Sequence, residues 1–132
     1  SLSRLIFMNQ DDIKNTEPIV GSSDKTQTLK FVLDDSNTDT ESEKQNTTGV
    51  SIRIVKIECI DGKTSGNYTI KVKTDTDGNS FNKTYTVGVG APAEPGDKVC
   101  TNLFDSTKVT LTCTGLDGQV GTANFMLTYH TC

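Results

Sequence analysis

The chain has 132 residues, 33% of them hydrophobic, and a formal net charge of -4. That length is one domain, able to bury a core without help from a metal or cofactor. Its Lys and Arg residues form no cluster, and no apolar run approaches the roughly 20 residues of a membrane helix, so neither nucleic acid nor membrane insertion is expected.

No stretch carries a helical period, whereas alternation of period two recurs along the chain. The first candidate strand, 4–8, is apolar on both parities: Leu5 and Phe7 on one, Ile6 and Met8 on the other. With Leu2 this is the most apolar stretch for its length, and such an edge left bare invites aggregation. Leu2, Leu5, Ile6, Phe7 and Met8 are therefore candidate contact residues. Residues 1–10 are either an ordinary first or edge strand of their own sandwich or a strand donated to a neighbouring subunit, with the polar run Asn9 to Lys14 as the crossing linker.

A second strand is predicted over 27–33, where Leu29, Phe31 and Leu33 alternate with Thr28 and Lys30, followed by a polar, acidic loop over 34–48. In 50–59, Val50, Ile52 and Ile54 share one parity, and Val55, Ile57 and Cys59 the other. A strand changes face only through an extra residue or a change of sheet, so a bulge or sheet switch is predicted near Ile54–Val55. Further strands are predicted over 67–74, 81–89, 106–115 and 122–131. Asp61-Gly62, Asp77-Gly78 and Asp117-Gly118 sit between strand segments and suit tight turns, which gives three hairpin-like connections. Segment 90–105 contains Ala-Pro-Ala-Glu-Pro-Gly and cannot lie in a central strand. The pattern is all-β: a single β-sandwich over 1–132, jelly-roll or immunoglobulin-like, of about seven to eight mostly antiparallel strands.

The four cysteines include no Cys-x-x-Cys, and there is one His, which argues against zinc. Cys132 directly follows the last predicted strand, as though stapling its end. A disulfide framework in an oxidising compartment is expected, with four free thiols in a reducing one as the alternative. With a hairpin turning at Asp117-Gly118, Cys132 falls near residues 102–104, which favours Cys100–Cys132 and leaves Cys59 with Cys113.

Asp75, Asp77 and Asn79 place oxygen ligands at alternate positions beside Gly78, a pattern that suits calcium. A tight turn explains the same residues, and the bidentate Glu of a full calcium loop is replaced by Thr86. The run Asp34, Asp35, Asn37, Asp39, Glu41 is a second calcium candidate and, equally, a solvated loop. Three sequons mark Asn46, Asn67 and Asn82 as candidate glycosylation sites, all on polar or water-facing positions. The recurring Thr-x-Thr pairs follow no fixed repeat, so strand propensity accounts for them. His130 has no nucleophile motif aimed at it, and no enzyme activity is expected. The reading is an extracellular or cell-surface structural subunit of a filament, coat or surface layer, whose partners are other copies of itself or another extracellular protein. The alternative is a secreted carbohydrate- or cell-surface-binding module, assisted by calcium; an aromatic content of 6% without Trp weighs against it.

Overall fold

A computed structural model describes residues 12–31, 46–62, 64–73, 82–99 and 122–132, and the backbone alone of 32–33, 44–45, 74, 109–114 and 121. Eight strands are found among these residues: β1 (Lys25–Leu33), β2 (Lys44–Gln45), β3 (Ile52–Asp61), β4 (Asn67–Thr74), β5 (Asn82–Gly88), β6 (Asp97–Val99), β7 (Val109–Thr114) and β8 (Gly121–Thr131). They form two antiparallel four-stranded sheets, ordered β1-β8-β3-β6 and β2-β7-β4-β5.

The alternating residues do what period two requires. Leu29 and Phe31 of β1, Ala123, Phe125, Leu127 and Tyr129 of β8, and Tyr68, Ile70 and Val72 of β4 are all buried. They belong to one core shared by both sheets. Phe125 bridges the layers, packing edge-on against Phe31 of its own sheet and against Tyr68 of the other, with centroids 5.7 and 5.2 Å apart.

The face change in β3 is a bulge. Ile54 pairs with Tyr129 and Lys56 with Thr128, so Val55 is the extra residue. Ile52 and Ile54 point inward before it and Ile57 after it. A second shift between Cys59 and Asp61 makes Ile60 the extra residue there and turns it out to solvent.

Of the three expected hairpins, β4–β5 is paired, Asn67 with Gly88 through Lys73 with Asn82. The other two are corrected. β3 and β4 lie in different sheets, as do β7 and β8, and β8 inserts between β1 and β3. An Asp-Gly pair reverses the chain, but it does not decide whether the next strand stays in the sheet or crosses the sandwich. Two strands fall inside segments read as loops. β2 has two residues and β6 three, too few to show a period. Pro92 and Pro95 lie beside β6 at the sheet edge, where a missing N–H is tolerated. Val89, the last residue of the strand predicted over 81–89, lies beyond β5 and is exposed.

Candidate functional site

The two open flanks of the sandwich are closed by different chemistry. On one, β5 is the edge of its sheet and β6 the edge of the other. Lys83 and Tyr85 occupy the β5 positions opposite Val72 and Ile70, on the core side. Tyr85 donates its hydroxyl to Asp97 at 2.6 Å, and Lys83 Nζ meets the other carboxylate oxygen at 3.2 Å. Arg53 reaches over to donate to the Gly96 carbonyl at 2.6 Å. The Tyr85 hydrogen bond, with Lys83 and Arg53 nearby, holds the Asp97 carboxyl below its ordinary range. Burial and the same carboxylate push the Tyr85 phenol up, so it stays a donor. This is a polar clasp between two sheet edges.

The opposite flank is closed by residues 12–18. Ile13 bridges Asn46 in parallel, just beyond β2, and its side chain is wholly buried in the core. The Ile13 carbonyl accepts from the Thr47 amide at 2.8 Å and the Thr47 hydroxyl at 2.7 Å. Tyr129 donates its hydroxyl to the Lys14 carbonyl, and Thr16 Oγ1 lies 3.2 Å from that hydroxyl. Asn9 to Lys14 is thus no free linker along its whole length. Its last residues are bolted to the sandwich, and one apolar side chain in a polar run gave no periodic signal of it.

Asn46 is correspondingly not a solvent-facing acceptor. It is 9% exposed. Its Nδ2 donates to the Val50 carbonyl at 2.8 Å, while Oδ1 accepts from the Thr48 amide and hydroxyl at 3.0 and 2.6 Å. A glycan on Nδ2 would displace that network. Asn67 and Asn82 are exposed and lie on the outward face of β4 and β5, together with Lys71, Lys73, Thr84 and Thr86.

Among the described residues there is no disulfide, and Cys59 and Cys132 stand as free thiols. Cys100 and the side chain of Cys113 lie outside the described residues. Cys59 stands opposite Phe125 in one sheet, whereas Cys113 is at the register of Ile70 in the other. The expected Cys59–Cys113 link would therefore run between the two sheets, as inter-sheet disulfides of β-sandwiches do. Burial, partly offset by the Asp61 carbonyl 3.7 Å from its Sγ, pushes the Cys59 thiol up.

Asp75, Asp77 and Asn79, the acidic run 34–41, and the contact candidates Leu2, Leu5, Ile6, Phe7 and Met8 lie outside the described residues. No group of three or more potential metal ligands occurs among those described. Among the same residues, no helix is long and apolar enough to cross a membrane. His130 Nδ1 lies 3.2 Å from Asp24 Oδ1, a half-exposed ion-pair geometry that ties the start of β1 to the end of β8.

No protein-family model matches this chain. Neither a curated protein nor a solved structure shows significant similarity to it.

Proposed function

We propose that the chain is an extracellular structural subunit acting through contacts with other copies of itself. The observation that carries this reading is the strand order. β1-β8-β3-β6 facing β2-β7-β4-β5 fits a jelly roll, two interlocked Greek keys, an architecture used for shells and coats as well as for lectins. Among the described aromatic residues, Phe31, Tyr68, Phe125 and Tyr129 are in the core and Tyr85 is engaged by Asp97, which favours assembly over sugar stacking.

Two finer readings belong to the same proposal. Ile13 fixes the root of the N-terminal segment at the sandwich edge, which suits residues 1–10 to pairing as a strand, in their own sandwich or in a neighbour's. Val99 and Thr131 pair with Ile52 from opposite sides. Cys100 and Cys132 follow directly, on strands about 10 Å apart with β3 between them, so a staple would need the chain beyond Val99 to cross the start of β3.

The test is light scattering of the chain and of a variant lacking residues 1–10. The parent should associate and the truncated chain should fold but associate less, with a synthetic Ser1–Gln10 peptide binding it. A parent that stays monomeric at millimolar concentration refutes the assembly reading. A truncated chain that unfolds and is not rescued by the peptide refutes strand donation.

A further inference from the structure

We propose that Asn67 and Asn82 carry N-linked glycans, which makes the outward face of β4 and β5 the exterior of the assembly. This rests on the extracellular assembly reading and names which sheet faces out.

Three sequons stand in the chain, and the structure separates them. Asn46 is buried, and its Nδ2 is engaged by the Val50 carbonyl at 2.8 Å. Asn67 opens β4, Asn82 opens β5, and both are exposed. In an extended strand residues i and i+2 share a face. Tyr68, Ile70 and Val72 fill the core, so Asn67 and the Thr69 of its sequon stand together on the outer side. Asn82 and Thr84 do the same, because Tyr85 and Val87 take the core side of β5. Asn67 lies opposite Gly88, which has no side chain to crowd the amide; a Cβ there would stand 2.9 Å from Asn67 Oδ1. Asn82 lies opposite Lys73, whose side chain is exposed.

The two acceptors mark opposite ends of one ladder. From Asn67 to Lys73, the partner of Asn82, is roughly 20 Å at about 3.3 Å per residue. Between them the outward positions are Thr69, Lys71, Thr84 and Thr86, and β7 continues the rows of Thr69, Lys71 and Lys73 with a threonine each. None of the exposed large hydrophobic residues among those described is on this face: Ile19, Val20 and Val89 lie outside the strands, and Ile60 is on β3 of the other sheet. The centre of a subunit contact is apolar, whereas a glycan is bulky and needs water around it. Two glycans would bar a neighbour from this face and leave association to the β1-β8-β3-β6 sheet and to the sheet edges.

The co-substrate comes from the secreting cell, an oligosaccharide joined through a diphosphate to a lipid. Asn Nδ2 bonds to the first sugar carbon as that carbon's bond to the diphosphate oxygen breaks. The diphosphate leaves with the electron pair, and the amide gives up one proton.

The test is secretion of the full chain from a glycosylating host, with peptide mapping before and after enzymatic removal of N-glycans. Asn67 and Asn82 should be occupied. Asn67→Gln and Asn82→Gln should each lose one glycan, and Thr84→Ala, which breaks the second sequon without touching its asparagine, should lose the same glycan as Asn82→Gln. All three positions are exposed, so circular dichroism should match the parent. A bare asparagine at either position in the secreted parent overturns that site. Light scattering then tests the face: the glycosylated parent and the Asn67→Gln/Asn82→Gln double variant should associate equally. If the double variant associates and the glycosylated parent does so about tenfold more weakly or worse, the face is a contact and its outward assignment is wrong, while the assembly reading stands. If neither associates, the assembly reading falls and the exterior assignment with it, while the two acceptor sites stand.

Discussion

Ile13→Ala tests whether the segment before β1 is part of the core or a strap laid over it. The substitution removes three carbon groups from a wholly buried side chain. At about 0.8 kcal/mol per buried methylene the transfer loss is about 2.4 kcal/mol. The cavity left behind adds to that, within a range of about 2–5 kcal/mol for such truncations. Collapse is limited because the backbone is pinned on both sides, by Thr47 on the Ile13 carbonyl and by Tyr129 on the Lys14 carbonyl. The expected loss is therefore about 3 kcal/mol, or roughly 10–15 °C in Tm for a domain of this size. Urea unfolding measures the loss, and amide exchange at Thr47, which donates to Ile13, reports the local effect. A loss under about 1 kcal/mol with Thr47 still protected would show that Ile13 is not a core residue.

Other expectations follow from the same geometry. Because the Asp97 carboxyl is held low, the clasp's contribution is complete above the ordinary carboxylate range near 4 and is lost as pH falls through the lower folded value; Tyr85→Phe should flatten the acid limb of the urea midpoint, and an unchanged limb would refute the clasp. The raised Tyr85 phenol gives the opposite sign, a stability present below pH about 10 and lost as pH climbs through the folded value. Cys59 should react with iodoacetamide more slowly than Cys132 near pH 8, since burial depletes its thiolate, as timed peptide mapping would show. Asn46→Ala should cost about 1–3 kcal/mol by orphaning the Thr48 amide and leaving the Val50 carbonyl with the Thr48 hydroxyl alone, and should leave the mass of chain secreted from a glycosylating host unchanged apart from the substitution. Gly62→Ala should lower the urea midpoint strongly, because its Cβ would stand well inside contact distance of Tyr68 Oη and the ring behind it is packed against Phe125.

What could be read from the sequence was what period two encodes. Leu29, Phe31, Tyr68, Ile70, Val72, Phe125 and Leu127 announce their face by alternation, and the break in parity at Val55 announces a bulge or a sheet switch, of which the structure has the bulge. Partnership was less legible. Asp61-Gly62 marks a reversal with no information about which sheet receives the next strand; that choice depends on β8 inserting between β1 and β3, a contact far apart in sequence. Ile13 and Asn46 were illegible for another reason. They meet each other across more than thirty positions of chain, and the immediate neighbours of each are polar.

The unequal closure of the flanks gives the molecule a spine and a fore-edge, like a bound book. The Ile13 side is held by a buried hydrocarbon and by neutral donors on backbone carbonyls, with the Asp24–His130 contact adding a carboxylate. The Asp97 side is held by a carboxylate, an ammonium and a phenol. Acid should therefore loosen the Asp97 margin first, freeing β5 from β6 while the nine-residue ladder keeps β1 paired to β8. A bare strand edge recruits others of its kind. Acidification would then change which surface is adhesive before it unfolds anything, with faster exchange of β5 amides than of β1 amides as the sign.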